Sequence, residues 1–217
     1  TSLPAGEDIT AAFDRIRDEG YDGVIAVMLS GGLSGTYNMT RLLAEERRDL
    51  EIKVYDSVSG SLGIGVTMLQ LAEDLRAGAS WRELTHKRVP QLIKNTFPFF
   101  SVDTLEYLQR GGRIGKVTAM AGTMLQIKPL ITFAADGQLQ SIAKVRGRNL
   151  VIRKLIELVT QSHNGVARYN LAVANGGAPE EMQLVRQRLT EALPNYDHIW
   201  EGEIDGTLSV YIGDGVL

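Results

Sequence analysis

Apolar residues recur along the chain in two rhythms, and the change between them divides it. Ile9, Ala12, Phe13 and Ile16 fall at helical spacing and Gly20 follows, predicting a helix over 7–19. Val24-Ile25-Ala26-Val27-Met28-Leu29 then runs without a polar break. Such a run predicts a strand buried on both faces, as in parallel sheets. After Ser30-Gly31-Gly32-Leu33-Ser34-Gly35, residues 36–48 predict a helix with Leu42 and Leu43 opposite a charged face of Glu45, Glu46, Arg47 and Arg48. A short strand is predicted over 52–56. A helix follows over 61–77, with Leu62, Val66, Leu69 and Leu75 on its buried side and Gly78 closing it. Helix, strand, helix, strand, helix is the alternation of a parallel α/β sheet.

Ser80-Trp81-Arg82-Glu83 is a capping box that opens another helix, which Pro90 should kink or end. From there the rhythm changes. A strand is predicted over 97–102, with Asp103 capping a short helix around Leu105, Tyr107 and Leu108 that Gly111-Gly112 terminates. A small-residue helix over 115–124 leads to Pro129. Strands at 130–133 and 138–145 flank Ala134-Ala135-Asp136-Gly137, a hairpin signal. Helices at 148–161 and 179–192, a strand at 171–174 and two closing strands near 198–204 and 207–212 complete the reading. Hairpins mixed with helices predict an α+β second domain, so the domains expected are 1–79 (α/β) and 80–217 (α+β).

Composition excludes several classes. The 217 residues are 44% hydrophobic and 23% charged, ordinary for a globular protein with a sizeable core. There is no cysteine, which removes disulfides, thiolate metal sites and cysteine nucleophiles. A formal net charge of -3 argues against a nucleic-acid partner. No apolar run approaches the ~18 residues of a membrane span.

The loop over 30–36 carries the candidate chemistry, and three readings stay open. In the first it is a tight strand-to-helix turn and nothing more, with Ser34 or Thr36 as N-cap. It could be a nucleophile elbow, but Gly32-Leu33-Ser34-Gly35-Thr36 fails the Gly-x-Ser-x-Gly pattern at its last position. That reading also needs a base, and His86, His163 and His198 are not marked by their contexts. The third reading is anion capture by hydroxyls and backbone amides at a helix N-terminus; the absence of Gly-Lys-Ser/Thr disfavours a P-loop. Two basic turns, Arg110-Gly111-Gly112-Arg113 and Lys144-Val145-Arg146-Gly147-Arg148, are either solvated helix and strand ends or contacts for a phosphate or acidic surface. Asp56-Ser57 fits an Asx-type turn or the wall of a site.

Several of these stretches together resemble the DegV family of bacterial fatty-acid-binding proteins. Thr1-Ser2-Leu3-Pro4 is similar to its Thr-Ser-Gln-Pro segment, and Ser30-Gly31-Gly32-Leu33-Ser34-Gly35-Thr36-Tyr37 to its Ser-Ser-Gly-Leu-Ser-Gly-Thr-Tyr loop. DTLEYLQRGGRIG over 103–115, Ile127-Lys128-Pro129 and Lys144-Val145-Arg146-Gly147 continue the match in order. The resemblance implies a cytoplasmic two-domain protein, a carrier and not an enzyme, without cofactor or metal. It implies that a long-chain fatty acid such as palmitate or stearate lies in an apolar interdomain tunnel. Its carboxylate would be held by Thr1 and Ser34, with Ser30 and Gly35 alongside. It also implies presentation of the acid to a fatty acid kinase, with Arg113 and Arg146 as contacts for the kinase or the new phosphate. Small residues over 60–65 and 119–123 would leave room for the tail.

The chain departs from the pattern at Gly31, Leu3 and Tyr211, where the family carries Ser, Gln and the His of a closing His-x-Gly-Pro-Gly. It also lacks the segment that precedes Thr-Ser in the family, including the first sheet strand, which would leave a sheet edge open. The rival function is a serine hydrolase or phosphoryl-transfer enzyme using the same loop; a third is a regulatory module in which lipid controls partner binding.

Overall fold

The computed structural model describes residues 3–120 and 127–217. The chain divides into two compact units, Thr1–Thr96 with Ala135–Gly137, and Phe97–Ala134 with Gln138–Leu217.

In the first unit, α1 (Gly6–Asp18) is followed by Gly20 at φ +88°, and the N–H groups of Gly20 and Tyr21 close back onto the carbonyls of Arg17 and Ile16. This is a Schellman-type stop, which needs a left-handed residue at Gly20. Next come β1 (Gly23–Met28), α2 (Thr36–Glu45), β2 (Glu51–Asp56) and α3 (Leu62–Arg76). β1 and β2 pair in parallel from Gly23↔Glu51 to Met28↔Asp56, so the two strands end side by side. Burial of β1 on both faces is not what the structure shows: all six residues are half-buried. Among the described residues β1 has β2 as its single ladder neighbour.

The inward face of α3 also differs from the expected one. Gly63, Thr67 and Leu71, each four residues on from the last, are buried, while Leu69 and Leu75 are 45% and 60% exposed. Leu71 joins Leu84 and Val89 in a core against which Ile25, Val27 and Tyr55 pack. Leu84 and Val89 belong to the helical segment built from α4 (Trp81–Glu83), a π-helical stretch (Leu84–Arg88) and α5 (Val89–Lys94). Ser80 caps it as the capping box predicts, its Oγ accepting from the Glu83 N–H at 3.2 Å. Pro90 does not end the helix. The preceding turn widens to π geometry, which accommodates a residue lacking an N–H, and helix continues to Lys94. Because this segment shares the α3 core, the first compact unit runs to Thr96 and takes in residues beyond 79.

The second unit holds β3 (Phe100–Ser101), α6 (Glu106–Arg110), a 3-10 turn (Gly115–Met120), β4 (Ile127–Phe133), β5 (Leu139–Arg146), α7 (Arg148–His163), β6 (Leu171–Asn175), α8 (Pro179–Ala192), β7 (Ile199–Glu203) and α9 (Gly206–Ile212). β3, β4 and β5 form an antiparallel sheet in that order, with β4 and β5 joined by the predicted hairpin; β6 and β7 pair in parallel. Val151, Ile152 and Leu155 of α7 and Met182, Val185 and Leu189 of α8 form one core with Leu130, Leu171 and Val173.

Three expectations change here. Residues 207–212 form α9 and not a strand, because Asp205 Oδ1 accepts from the Leu208 N–H at 3.1 Å and starts a helix. Asp103 does not cap α6. Its carboxylate takes Lys128 Nζ at 2.9 Å and Arg148 Nη1 at 3.3 Å, and Thr104 Oγ1 accepts from Glu106 N–H instead. The helix expected over 115–124 is a 3-10 turn as far as Met120, and its remainder lies outside the described residues.

Candidate ligand-binding site

Parallel strands that end together bring two loops side by side, and the chemistry gathers there. Beyond β1, Ser30 is fully buried and Ser34 nearly so. Ser30 anchors the turn at three points. Its carbonyl accepts from the N–H groups of Leu33 (3.0 Å) and Ser34 (3.1 Å). Its Oγ accepts from Gly32 N–H at 3.3 Å and donates to the Gly137 carbonyl at 2.7 Å. Its backbone N–H donates to the Ser59 carbonyl at 2.9 Å. At the end of β2, the Asp56 carboxylate accepts from Gly31 N–H with both oxygens at 3.1 Å and from Val58 N–H with Oδ1 at 2.8 Å. The second of these is the expected Asx turn; the first ties the two loops together. Ser57 and Ser59, also buried, close a further turn in which Ser57 Oγ accepts from Ser59 N–H at 3.1 Å.

These bonds change how the loop can bind an anion. The N–H groups of Gly31, Gly32, Leu33 and Ser34 are all committed to protein acceptors. Capture by those loop amides, and with it a phosphate cradle of the P-loop kind, is therefore not what this geometry offers. What the loop presents is a hydroxyl pair: Ser34 Oγ and Thr36 Oγ1 lie 2.8 Å apart, and Ser34 Oγ accepts from Thr36 N–H at 3.2 Å. The N-cap of α2 is Gly35, with neither Ser34 nor Thr36 in that position. Gly35 faces the Leu3 side chain, which would lie 3.1 Å from a Cβ there.

Of the expected site residues, Ser30, Ser34 and Gly35 thus share one loop, with Ser30 acting as its anchor. Thr1 lies outside the described residues, as does the small-residue stretch over 121–123. In the second unit, Arg113 Nη1 donates to the Gly111 carbonyl at 2.5 Å, and its guanidinium sits 5.0 Å from the centre of the Tyr211 ring. Tyr211, at the departure from the family histidine, therefore serves as a platform for Arg113. A Cβ at Gly111 would collide with that ring. Arg146 is exposed at the end of β5, opposite Ile127.

Each histidine has a side-chain neighbour. His86 Nδ1 lies 2.9 Å from Thr85 Oγ1, His163 packs edge-on to Tyr169, and His198 stacks on Trp200. Among the described residues no group of acidic, histidine or cysteine side chains is arranged to hold a metal, and no helix is long and apolar enough to cross a membrane.

Sequence reading missed the grip of Asp56 on Gly31 and the role of Gly137. Both carried a signal. An acid at the end of the strand paired with β1 must sit beside the start of the next loop. Gly137, at φ +77° in the hairpin turn, has no room for a side chain: a Cβ would fall on Ser30 Oγ and lie 3.0 Å from Gly32 N.

Comparison with known proteins bears on the fold and the family. The model of the DegV family matches residues 1–217. A DegV domain-containing protein of Clostridium acetobutylicum is 33% identical over all of this chain and 76% of its own length. The structure of a fatty-acid-binding DegV family protein from Thermus thermophilus superposes with a TM-score of 0.90 at 28% identity, covering 99% of this chain and 75% of that one. DegV of Bacillus subtilis, described as a fatty acid binding protein, gives 0.86 at 26% identity, covering 98% of this chain and 74% of the other. The mixed α/β fold with its parallel N-terminal strands is shared with them, and the chain belongs to the DegV family.

Proposed function

We propose that the protein binds one long-chain fatty acid and carries it without transforming it. The observation that carries this reading is the Ser34–Thr36 hydroxyl pair at the end of a loop whose preceding amides are already committed, in a chain similar to fatty-acid-binding relatives. Hydroxyls both donate and accept, so the pair can meet a carboxyl group without a base or a metal. Thr1 supplies a further hydroxyl in this reading, and the tail occupies the apolar tunnel that the resemblance implies.

The energetics divide between the two ends of the ligand. Burying a tail of about 15 carbons at ~0.8 kcal/mol per methylene gives roughly 12 kcal/mol gross, reduced strongly by association and ordering costs. The tail supplies affinity and the hydroxyls supply orientation. The carrier then presents the carboxylate to a fatty acid kinase, with Arg113 and Arg146 facing the kinase or the new acyl phosphate. The protein acts in the cytoplasm.

Isothermal titration with palmitate tests this reading. A one-to-one complex with a negative heat-capacity change is expected, and Ser34→Ala should weaken it about tenfold, the loss of a hydrogen bond to a charged group. Equal affinity in Ser34→Ala would remove that hydroxyl from the site. Ester or nucleotide hydrolysis abolished by Ser34→Ala would favour the enzyme instead.

A further inference from the structure

We infer that Asp56 is a positioning residue for headgroup recognition: it fixes the glycine loop so that Ser34 and Thr36 meet the acid. This rests on the fatty-acid reading above and deepens it. The Asp56 side chain engages the backbone of both loops, Gly31 N–H with two oxygens and Val58 N–H with one. Gly31 opens the turn whose next three N–H groups close on Ser30. Without Asp56, the Gly31 peptide is the first member of that turn to lose its acceptor, and a part-buried N–H without a partner seeks another orientation. A rotated peptide there shifts the three residues that lead to Ser34.

The absence of a side chain at Gly31 is part of the device, since a Cβ would lie 2.7 Å from Asp56 Oδ2 and push the carboxylate away. A side chain at this position and the close approach seen here thus exclude one another without a shift of Asp56.

The test separates positioning from plain stability by comparing palmitate with methyl palmitate, which keeps the tail and lacks the acid. Asp56→Ser retains an oxygen able to close the turn onto Val58 N–H, as Ser34 and Ser57 do onto Thr36 and Ser59, but is too short to reach Gly31. It should lower palmitate affinity about tenfold and leave the ester affinity unchanged. Asp56→Asn keeps one acceptor and should lose about threefold, which decides the matter should Asp56→Ser not fold. Asp74→Ala, which breaks an ion pair with Arg88 in the same unit, should leave the acid-to-ester ratio at its original value. An unchanged ratio in both Asp56 variants, or a parallel fall for acid and ester, overturns the inference while the fatty-acid reading stands. Failure of the unsubstituted chain to bind palmitate, or to prefer it over the ester, overturns that reading and this inference with it.

Discussion

Replacing Gly137 by alanine should damage the protein far more than its place in a short hairpin turn suggests. The backbone there is left-handed, at φ +77°, which costs a residue with a Cβ about 1–2 kcal/mol. The new methyl would also fall on Ser30 Oγ and press on Gly32 N at 3.0 Å. Relieving it means moving the turn away from the glycine loop and stretching the 2.7 Å bond from Ser30 Oγ to the Gly137 carbonyl. Overpacking of this kind costs about 1–3 kcal/mol, and the hydrogen bond contributes about 1 kcal/mol. Gly20→Ala provides the control: it sits in the same unit at φ +88°, with no atom within 4 Å of its Cβ, so it carries the backbone strain alone. Urea denaturation should place Gly137→Ala about 2 kcal/mol below Gly20→Ala, and only Gly137→Ala should weaken palmitate binding. Equal stability of the two variants, with palmitate affinity intact in both, would refute the claim that Gly137 seats the loop.

Two further predictions concern single side chains. Tyr55 donates to the Thr85 carbonyl at 2.6 Å, and burial raises its pKa; Tyr55→Phe should cost about 1 kcal/mol at neutral pH. Because the folded-state pKa is the higher one, the original protein should lose stability as pH rises above about 10, and Tyr55→Phe should lose less, as denaturation over an alkaline pH series would show. Asp205→Ala removes the cap on α9 and should cost about 1 kcal/mol, read as a lower urea midpoint with an unchanged slope.

Local rules carried much of the fold. Gly20 stopped α1 at the expected place, Ser80 capped the helix it was expected to cap, and the hairpin turn over 134–137 joined two antiparallel strands. What was illegible turned on which of several competing partners, near or distant in sequence, wins. Thr207-Leu208-Ser209-Val210-Tyr211-Ile212 has strand-like residues, yet Asp205 outweighs them by supplying the first helical acceptor. The most apolar side of α3 is not its buried one, because Gly63 and Thr67 face inward ahead of Leu71. Asp103 is an apt cap by type, but two cations arriving from Lys128 and Arg148 claim its carboxylate.

The loop shows the same division. Its hydroxyls could be picked out from the sequence as candidates. The commitment of its amides could not, because the acceptors are the Asp56 carboxylate and Ser30 itself, whose hydroxyl is held in turn by the Gly137 carbonyl. That difference bears on mechanism: an amide cradle would favour phosphate, whereas a hydroxyl pair suits a single carboxyl group.

Native mass spectrometry of the protein incubated with palmitate bears most directly on whether it is a fatty-acid carrier. The account predicts a dominant species holding one palmitate per chain, with much less of it in Ser34→Ala. A spectrum containing only the bare polypeptide under the same conditions would contradict it.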